Sequence, residues 1–129
     1  MTVVGLEKLK KCDPRFVKLC GQVVNSVSFQ IVCGQRSKED QDKAFAQGKS
    51  KERWPDSKHN LDPSKAIDVA PLVYGKIPWD DIGAFYMLVG AFRQVAADQG
   101  VRVRFGADWN GNGSTKDQRF NDLGHIELE

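Results

Sequence analysis

The sequence predicts an α+β fold in which a small antiparallel sheet has helices packed on one of its faces. Three segments carry apolar residues at helical spacing, and four shorter segments alternate apolar and polar residues as strands do. Helical and strand segments are interleaved, without repeats or low-complexity linkers. The length of 129 residues suits one domain with a single hydrophobic core. We therefore expect residues 1–129 to form one domain.

Two helices in the first half are predicted from capping residues and apolar spacing. Asp13 is a favourable N-cap, and Pro14 suits the first helical position. The apolar residues that follow share one helical face: Phe16, Leu19, Cys20, Val23 and Val27. Ser37 can cap the second helix, which we expect to end near Gln47, because Gly48 suits the position just beyond a C-terminus.

The third and longest helix is predicted over residues 79–99, and Gly100 ends it. Its apolar residues form a buried stripe: Ile82, Phe85, Val89, Phe92 and Ala96. Residues 48–64 are polar and rich in lysine, so we interpret them as a long loop over the surface. Loops of that length in a compact domain are usually functional or mobile.

Four short segments are predicted to be strands, each with one face toward a core. They cover residues 29–33, 66–70, 101–105 and 125–128. In the second strand, Asp68 lies between two alanines on the face opposite the core, and these small neighbours leave space around its carboxylate. In the last strand, His125 and Glu127 share the polar face.

Composition argues against several classes of function. The formal net charge is only +2 and no concentrated basic face is visible, so nucleic-acid binding is not expected. The N-terminal segment has no long apolar run, which predicts neither a secretory signal nor stable membrane association. We therefore expect synthesis in the cytoplasm. We also expect the protein to be a monomer. Three cysteines without a C-x-x-C spacing are expected to be buried or idle thiols: Cys12, Cys20 and Cys33.

Two histidines and a carboxylate form a candidate metal site. Zinc hydrolases take three ligands from histidine and carboxylate side chains and leave one position for water. His59, Asp68 and His125 supply such a set and use both histidines of the chain. The water still needs a general base. Asp122 and Glu127 both lie near His125, and spacing alone does not decide whether Glu127 is a second base candidate or fixes the orientation of a ligand.

Several segments around these residues resemble a known family. They are Ser57-Lys58-His59, Ala66-Ile67-Asp68, Asp122-Leu123-Gly124-His125-Ile126-Glu127, Gly106-Ala107-Asp108-Trp109, and Gly34-Gln35-Arg36-Ser37 with Gln41. Together they resemble the VanY-type zinc peptidase family, which includes D-Ala-D-Ala carboxypeptidases and phage L-alanyl-D-glutamate endopeptidases that act as endolysins. The resemblance covers most of the chain and implies a Hedgehog/DD-peptidase-like fold.

Carried over by position, the resemblance also implies roles for individual residues. The two histidines and Asp68 would bind zinc, and Asp122 would be the catalytic base. Arg36 would steady the substrate or the charged intermediate. Apart from the resemblance, we expect Ser57 and Glu127 to contact the ligands and hold them in position.

The chain is most similar to the short endolysin branch of this family. His59 and Asp68 are nine positions apart, whereas many members place these residues seven apart. The predicted base, Asp122, is an aspartate where the carboxypeptidases commonly carry glutamate, which favours the endopeptidase branch.

The resemblance implies a zinc-dependent endopeptidase that hydrolyses the L-alanyl-D-glutamate bond of the peptidoglycan stem peptide. It would cause host lysis after a holin-type release from the cytoplasm to the periplasm. A D-Ala-D-Ala carboxypeptidase and a catalytically silent zinc-containing binding domain are the alternatives. The silent domain is disfavoured because Asp122 accompanies a full ligand set.

A second candidate metal site begins at Asp108. Asp108, Asn110 and Asn112, with Gly113 after them, match the first half of an EF-hand calcium loop. The bidentate glutamate of the twelfth position is absent, and Arg119 stands there. The segment therefore predicts either a weak calcium site or an ordinary turn rich in glycine and asparagine.

Overall fold

The computed structural model describes residues 1–116 and 122–129. The strands of this part of the chain are β1 (Val3–Val4), β2 (Phe29–Cys33), β3 (Ala66–Pro71), β4 (Val103–Phe105) and β5 (His125–Leu128). Its α-helices are α1 (Arg15–Val23), α2 (Lys38–Ala46) and α3 (Ile82–Gln99). Two short 3₁₀ helices, Leu6–Lys11 and Lys58–Asn60, complete the regular structure.

The five strands form one sheet in the order β1-β2-β3-β5-β4. The pairs β2–β3, β3–β5 and β5–β4 are antiparallel. Strand β1 pairs with β2 in parallel, so the sheet is mixed at that edge. The α+β class is confirmed, but β1 was not predicted, because two residues are too few to show an alternating pattern.

The hydrophobic core lies between one face of the sheet and helices α1 and α3. Its fully buried side chains include Phe16, Leu19, Phe29, Ile31, Ile67, Leu88 and Ile126. The rings of Phe29 and Phe92 meet edge to face at 5.3 Å and join β2 to α3. Among the described residues, α2 contributes none to this cluster. Its buried residue Gln41 instead packs toward the opposite side of the sheet.

Two of the helix ends follow the capping signals. The Ser37 hydroxyl accepts a hydrogen bond from the Asp40 amide at 3.2 Å, and Gly100 ends α3 in the left-handed conformation. Helix α3 begins at Ile82 rather than near residue 79, because the Asp81 side chain caps it by accepting from the Ala84 amide at 3.1 Å. Helix α1 ends at Val23, four residues earlier than the apolar pattern predicted.

No helix within the described ranges is long and apolar enough to cross a bilayer. The cysteines are free, and Cys12 and Cys20 are buried. Cys33 differs from the predicted pattern, which placed it on the core face with Ile31. The register between β2 and β3 shifts between these two residues, so Cys33 pairs with Asp68 and lies outside the core cluster.

Candidate metal centre

The sheet brings the predicted site residues together on the face opposite the core. Asp68 of β3 is the register partner of His125 in β5 and of Cys33 in β2. Since side chains of paired residues point to the same face of a sheet, the Asp68 carboxylate meets the His125 ring directly. The His59 ring reaches the same point from the 3₁₀ helix Lys58–Asn60.

That 3₁₀ helix is fixed by a reciprocal pair of caps. The Ser57 hydroxyl accepts from the His59 amide at 3.2 Å, and the Asn60 side chain accepts from the Ser57 amide at 3.1 Å. Ser57 therefore supports the His59 backbone rather than its ring. The Ser-x-x-Asn pattern is a variant of the capping box, a signal that was available in the sequence but was not used.

Three potential ligand atoms form a small triangle. His59 Nε2 lies 3.2 Å from Asp68 Oδ1 and 3.3 Å from His125 Nδ1, and His125 Nδ1 lies 3.1 Å from Asp68 Oδ1. Ligand atoms at about 2.0–2.1 Å from a tetrahedral zinc are about 3.3 Å apart. The triangle therefore has the size of one face of a zinc coordination tetrahedron.

Hydrogen bonds orient both imidazole rings for this role. His59 Nδ1 lies 2.8 Å from the carbonyl oxygen of Gly34, so Nδ1 carries the proton and donates it. His125 Nε2 lies 2.9 Å from Glu127 Oε1 and donates to that carboxylate. The nitrogen left with a lone pair on each ring is therefore the one at the triangle. Such outer partners are the usual way in which proteins set the tautomer of a metal-binding histidine.

The electrostatics of the triangle favour a cation. Burial would raise the pKa of Asp68, but the charges and hydrogen bonds of His59 and His125 hold it well below its usual range. Burial would likewise lower the pKa of His59, but the charge of Asp68 and its hydrogen bond raise it. The buried carboxylate thus makes positive charge favourable at this position.

Asp122 lies beside the triangle, in the segment that immediately precedes β5. Its Oδ2 is 3.7 Å from His125 Nδ1. Burial and the nearby charge of Asp68 raise the pKa of Asp122 to about 6. A Cβ at Gly106 would lie 2.1 Å from the Asp122 carbonyl oxygen, and a Cβ at Gly124 would lie 2.0 Å from that of Val69. Only glycine at these two positions lets the backbone approach closely enough to place Asp122 here.

Glu127 differs from Asp122 in its partners. One of its oxygens accepts from His125, and the other is 3.0 Å from Arg104 Nη2 and 3.3 Å from Lys58 Nζ. Burial would raise the pKa of Glu127, but the hydrogen bond from His125 and the nearby cations lower it to about 2. Because both oxygens are already occupied, Asp122 is the better placed proton acceptor, a choice that the sequence left open.

Arg36 is held beside Asp68 by a buried glutamine. Its Nη2 donates to Asp68 Oδ2 at 3.3 Å, and its Nη1 donates to Gln41 Oε1 at 2.9 Å. The same Gln41 oxygen accepts from the Asn60 side chain at 3.1 Å, while Gln41 Nε2 donates to Ser50 Oγ and to the Glu52 carbonyl. Gln41 thus links α2, the following loop and the His59 turn, a role that spacing did not reveal.

Cys33 is a further potential ligand that the sequence interpretation treated as idle. Its Sγ lies 3.9 Å from His59 Nδ1, and Cys33, His59 and Asp68 lie close enough together to hold a metal ion. A second such group consists of Asp68, Asp122 and His125. The two groups share Asp68, so the predicted set of His59, Asp68 and His125 draws one histidine from each.

Two cavities meet at this centre. The first, the polar cavity, has a volume of about 390 Å³ and is lined by both histidines, Trp109 and charged residues of the 49–58 loop. The second, the apolar cavity, has a volume of about 530 Å³ and contains Val32, Trp79 and Phe85. Arg36, Lys49 and Asp122 line both, so they mark the junction.

The candidate calcium loop folds back on its own side chains. Asp108 Oδ2 accepts from the Gly113 amide at 2.8 Å, Asn110 Oδ1 from the Asn112 amide at 3.2 Å, and Asn112 Oδ1 from the Ser114 amide at 2.8 Å. Among the described residues, Asp108 Oδ1 is the only buried side-chain oxygen or nitrogen without a hydrogen-bond partner. The prediction for Arg119 falls outside the described residues.

Comparison with known proteins identifies the family. A family profile described as phage L-alanyl-D-glutamate peptidase matches residues 1–129. The chain is 38% identical over 103 residues to the L-alanyl-D-glutamate peptidase of Escherichia phage T5, which covers 78% of this chain and 74% of that protein. The L-Ala D-Glu endopeptidase ChiX of Serratia marcescens has the same fold, with a TM-score of 0.76 at 23% identity over 95% of this chain and 84% of ChiX. The chain therefore belongs to the phage L-alanyl-D-glutamate peptidase family.

Proposed function

We propose that this protein is a zinc-dependent endopeptidase that hydrolyses the L-alanyl-D-glutamate bond of the peptidoglycan stem peptide. The observation that carries the proposal is the triangle of His59 Nε2, Asp68 Oδ1 and His125 Nδ1, with Asp122 beside it. The scissile bond is proposed by analogy with the phage T5 relative, an L-alanyl-D-glutamate peptidase. Family membership supports the peptidase chemistry.

The donor set supports zinc in particular. Two neutral imidazole nitrogens and one carboxylate oxygen form a set used by catalytic zinc sites, which keep the fourth position open. The triangle edges of 3.1–3.3 Å match that geometry. Both histidines and Asp122 line the polar cavity, through which a substrate can reach the site.

The surrounding residues have separate tasks in this mechanism. Zinc in the site would supply Lewis-acid polarisation and lower the pKa of the attacking water. Asp122 accepts the proton of that water at a carboxylate oxygen and returns it to the leaving amine. Arg36 lies against Asp68 and Gln41 with its side chain 14% exposed, and it stabilises the negative charge that develops on the substrate carbonyl oxygen.

Mass analysis of digested peptidoglycan tests the proposal. Purified sacculi treated with the zinc-loaded protein should release peptides that begin with D-glutamate and leave glycan strands whose stem peptides are shortened to L-alanine. Asp122→Asn protein, treated in parallel, is the matched control and should release far less. Release of terminal D-alanine alone would instead indicate the carboxypeptidase alternative, and a protein inert on sacculi would support the silent binding domain.

We also propose that Asp108, Asn110 and Asn112 bind calcium weakly. Asp108 Oδ1 is buried without a hydrogen-bond partner, which supports a bound cation at this loop. Only one of the three residues carries a full charge, so the affinity of the loop for calcium should be low. The expected dissociation constant is about 10⁻⁴–10⁻³ M, as in weakly charged extracellular sites. Calorimetric titration with zinc held constant should detect this binding, and Asp108→Asn should remove it. Absence of heat in the wild type at several times that concentration would make the loop an ordinary turn.

We further propose that the enzyme works as a monomer on the cell wall. The phage origin of the T5 relative supports a role in host lysis, with synthesis in the host cytoplasm and holin-type release to the periplasm. Co-expression with and without a holin tests this route, since lysis should require both proteins. Lysis by this protein alone would contradict the proposed release step.

A further inference from the structure

The proposed substrate carries a negative charge next to the scissile bond. D-glutamate has two carboxyl groups, and only one of them can continue the peptide chain. The other remains a free carboxylate on the residue whose nitrogen leaves during hydrolysis. The cleft therefore needs a cation near the metal centre that is not already paired with a protein carboxylate.

Three cations of the polar cavity are already paired. Arg36 binds Asp68 at 3.3 Å, while Arg104 and Lys58 both bind Glu127, at 3.0 and 3.3 Å. Arg36 and Asp68 balance each other, whereas Arg104 and Lys58 share the single carboxylate of Glu127, so their remaining positive charge is held around that residue. A substrate carboxylate at any of them would compete with an existing ion pair.

Lys49 is placed differently. It lines both the polar and the apolar cavity, as Arg36 and Asp122 do, so it lies at the junction beside the candidate metal centre. The acidic residues Glu52 and Asp56 line only the polar cavity. Lys49 is exposed, and within residues 1–116 and 122–129 it forms no ion pair.

The backbone of Lys49 is held in a fixed position. Gly48 adopts a left-handed conformation with φ of 73°, and the amides of Lys49 and Ser50 both donate to the Ala44 carbonyl, at 2.9 and 3.2 Å. The Ser50 hydroxyl then accepts from Gln41, the residue that also binds Arg36. The same glutamine therefore positions Lys49 and Arg36 relative to each other.

We propose that Lys49 Nζ binds the free carboxylate of the D-glutamate residue and so determines specificity after the scissile bond. The inference rests on the proposed function and adds the group that the enzyme recognises. It requires that the enzyme distinguish D-glutamate from D-isoglutamine, in which the same carboxyl group is an amide. The discrimination should appear in KM, because the contact is made by an exposed side chain to a group that does not itself react.

Kinetics on two purified muropeptides that differ only in this amidation test the proposal. The wild type should favour the free acid by about tenfold in kcat/KM, the range of a hydrogen bond to a charged group. Lys49→Gln should bring this ratio close to one, mainly through KM, and Lys49→Arg should retain most of it. Lys51→Gln changes a lysine that lines only the polar cavity, and this control should keep the wild-type ratio.

The outcomes separate this inference from the proposed function. If Lys49→Gln keeps the wild-type ratio, or Lys51→Gln removes it, the assignment to Lys49 is wrong. A wild-type enzyme that cleaves both muropeptides equally well overturns the inference and leaves the proposed function standing. A zinc-loaded enzyme that cleaves neither overturns the proposed function itself.

Discussion

The carboxylates near His125 have similar chemistry but different surroundings. Asp122 is half-buried beside Asp68, which disfavours its charged form, whereas Glu127 is neutralised by Lys58 and Arg104. A group with a pKa near 6 exchanges protons readily at neutral pH, and a group with a pKa near 2 does not. Conversion of each residue to its amide should therefore affect the enzyme differently.

Asp122→Asn should keep the fold and the zinc content but lower turnover by about 10² or more, since the amide cannot accept a proton. Glu127→Gln should reduce zinc affinity or activity by about 10–100-fold, the usual cost of losing a partner that orients a ligand. Activity on peptidoglycan and zinc content should be measured on the same samples. An active Asp122→Asn beside an inactive, zinc-loaded Glu127→Gln would reverse the two roles.

The two overlapping ligand groups give a second prediction. His59→Ala should lose both bound zinc and activity, because it removes one corner of the triangle. Cys33→Ser should keep both, since the His59 nitrogen nearest Cys33 Sγ donates to Gly34 and is not at the triangle. Elemental analysis of the purified variants is the measurement. Loss of zinc in Cys33→Ser would place the thiol among the ligands.

How far the sequence predicts this site depends on the residue. Both histidines and Asp68 could be found, because histidine is rare here and strand alternation places Asp68 on the free face. Cys33 could not be found in this way, because the alternating pattern of the strand gives no sign of the register shift after Ile31. Gln41 was noticed only through a resemblance, because the partners of its four side-chain hydrogen bonds follow no regular spacing in the sequence.

At the scale of secondary-structure elements, a polar cluster fastens the start of β3 to the start of α1. The Asp13 amide donates to the Ser64 carbonyl at 2.9 Å, and the Asp13 carboxylate accepts from the Arg15 amide at 3.0 Å. The same carboxylate binds the side chains of Arg15 and Lys65. Pro14 and not Asp13 is the N-cap of α1, so the predicted cap is one residue too early, and Asp13 instead connects two elements that lie far apart in the chain.

Asp13→Asn should destabilise the protein by about 1 kcal/mol at neutral pH, since its cationic partners are partly exposed and therefore screened. Hydrogen bonds from Arg15 and Lys65 hold the pKa of Asp13 well below its usual range. Its contribution is therefore complete above about pH 4, near the unfolded pKa, and is lost as the pH falls through the folded pKa.

Urea unfolding of the wild type and of Asp13→Asn, at neutral pH and below pH 4, measures this effect. The difference in unfolding free energy should shrink as the pH falls. Asp42→Asn is a control, because the Lys38–Asp42 pair is exposed on both sides and should contribute almost nothing. A difference that stays constant or grows in acid would show that the charge of Asp13 is not what stabilises this junction.

At the scale of the whole molecule, the candidate site joins the His59 turn, which contributes no residue to the hydrophobic core cluster, to two strands of the sheet that do. His59 comes from the long loop, whereas Asp68 and His125 come from adjacent strands. A metal bound by all three residues should stabilise the native state by mass action, by about 2.7 kcal/mol at a hundredfold excess over the dissociation constant.

Removal of zinc with a zinc-selective chelator should therefore lower the thermal midpoint by several degrees, and added zinc should restore it. Differential scanning calorimetry of the wild type measures the shift. His59→Ala protein should show no response to the chelator. If the wild-type protein contains zinc but its thermal midpoint does not change when the chelator is added, the metal does not bridge the loop and the strands.

The order of the strands has a consequence for synthesis on the ribosome. Strand β5 lies between β3 and β4, although both of these strands are translated before it. The nascent chain therefore cannot complete its sheet until residues 125–128 have left the exit tunnel. Because β5 also carries His125 and Glu127, and Asp122 comes just before it, a chain still attached at an earlier codon lacks the centre that would attack a cell wall. A chain that stops before β5 therefore lacks His125, and the triangle of potential ligand atoms cannot form in it.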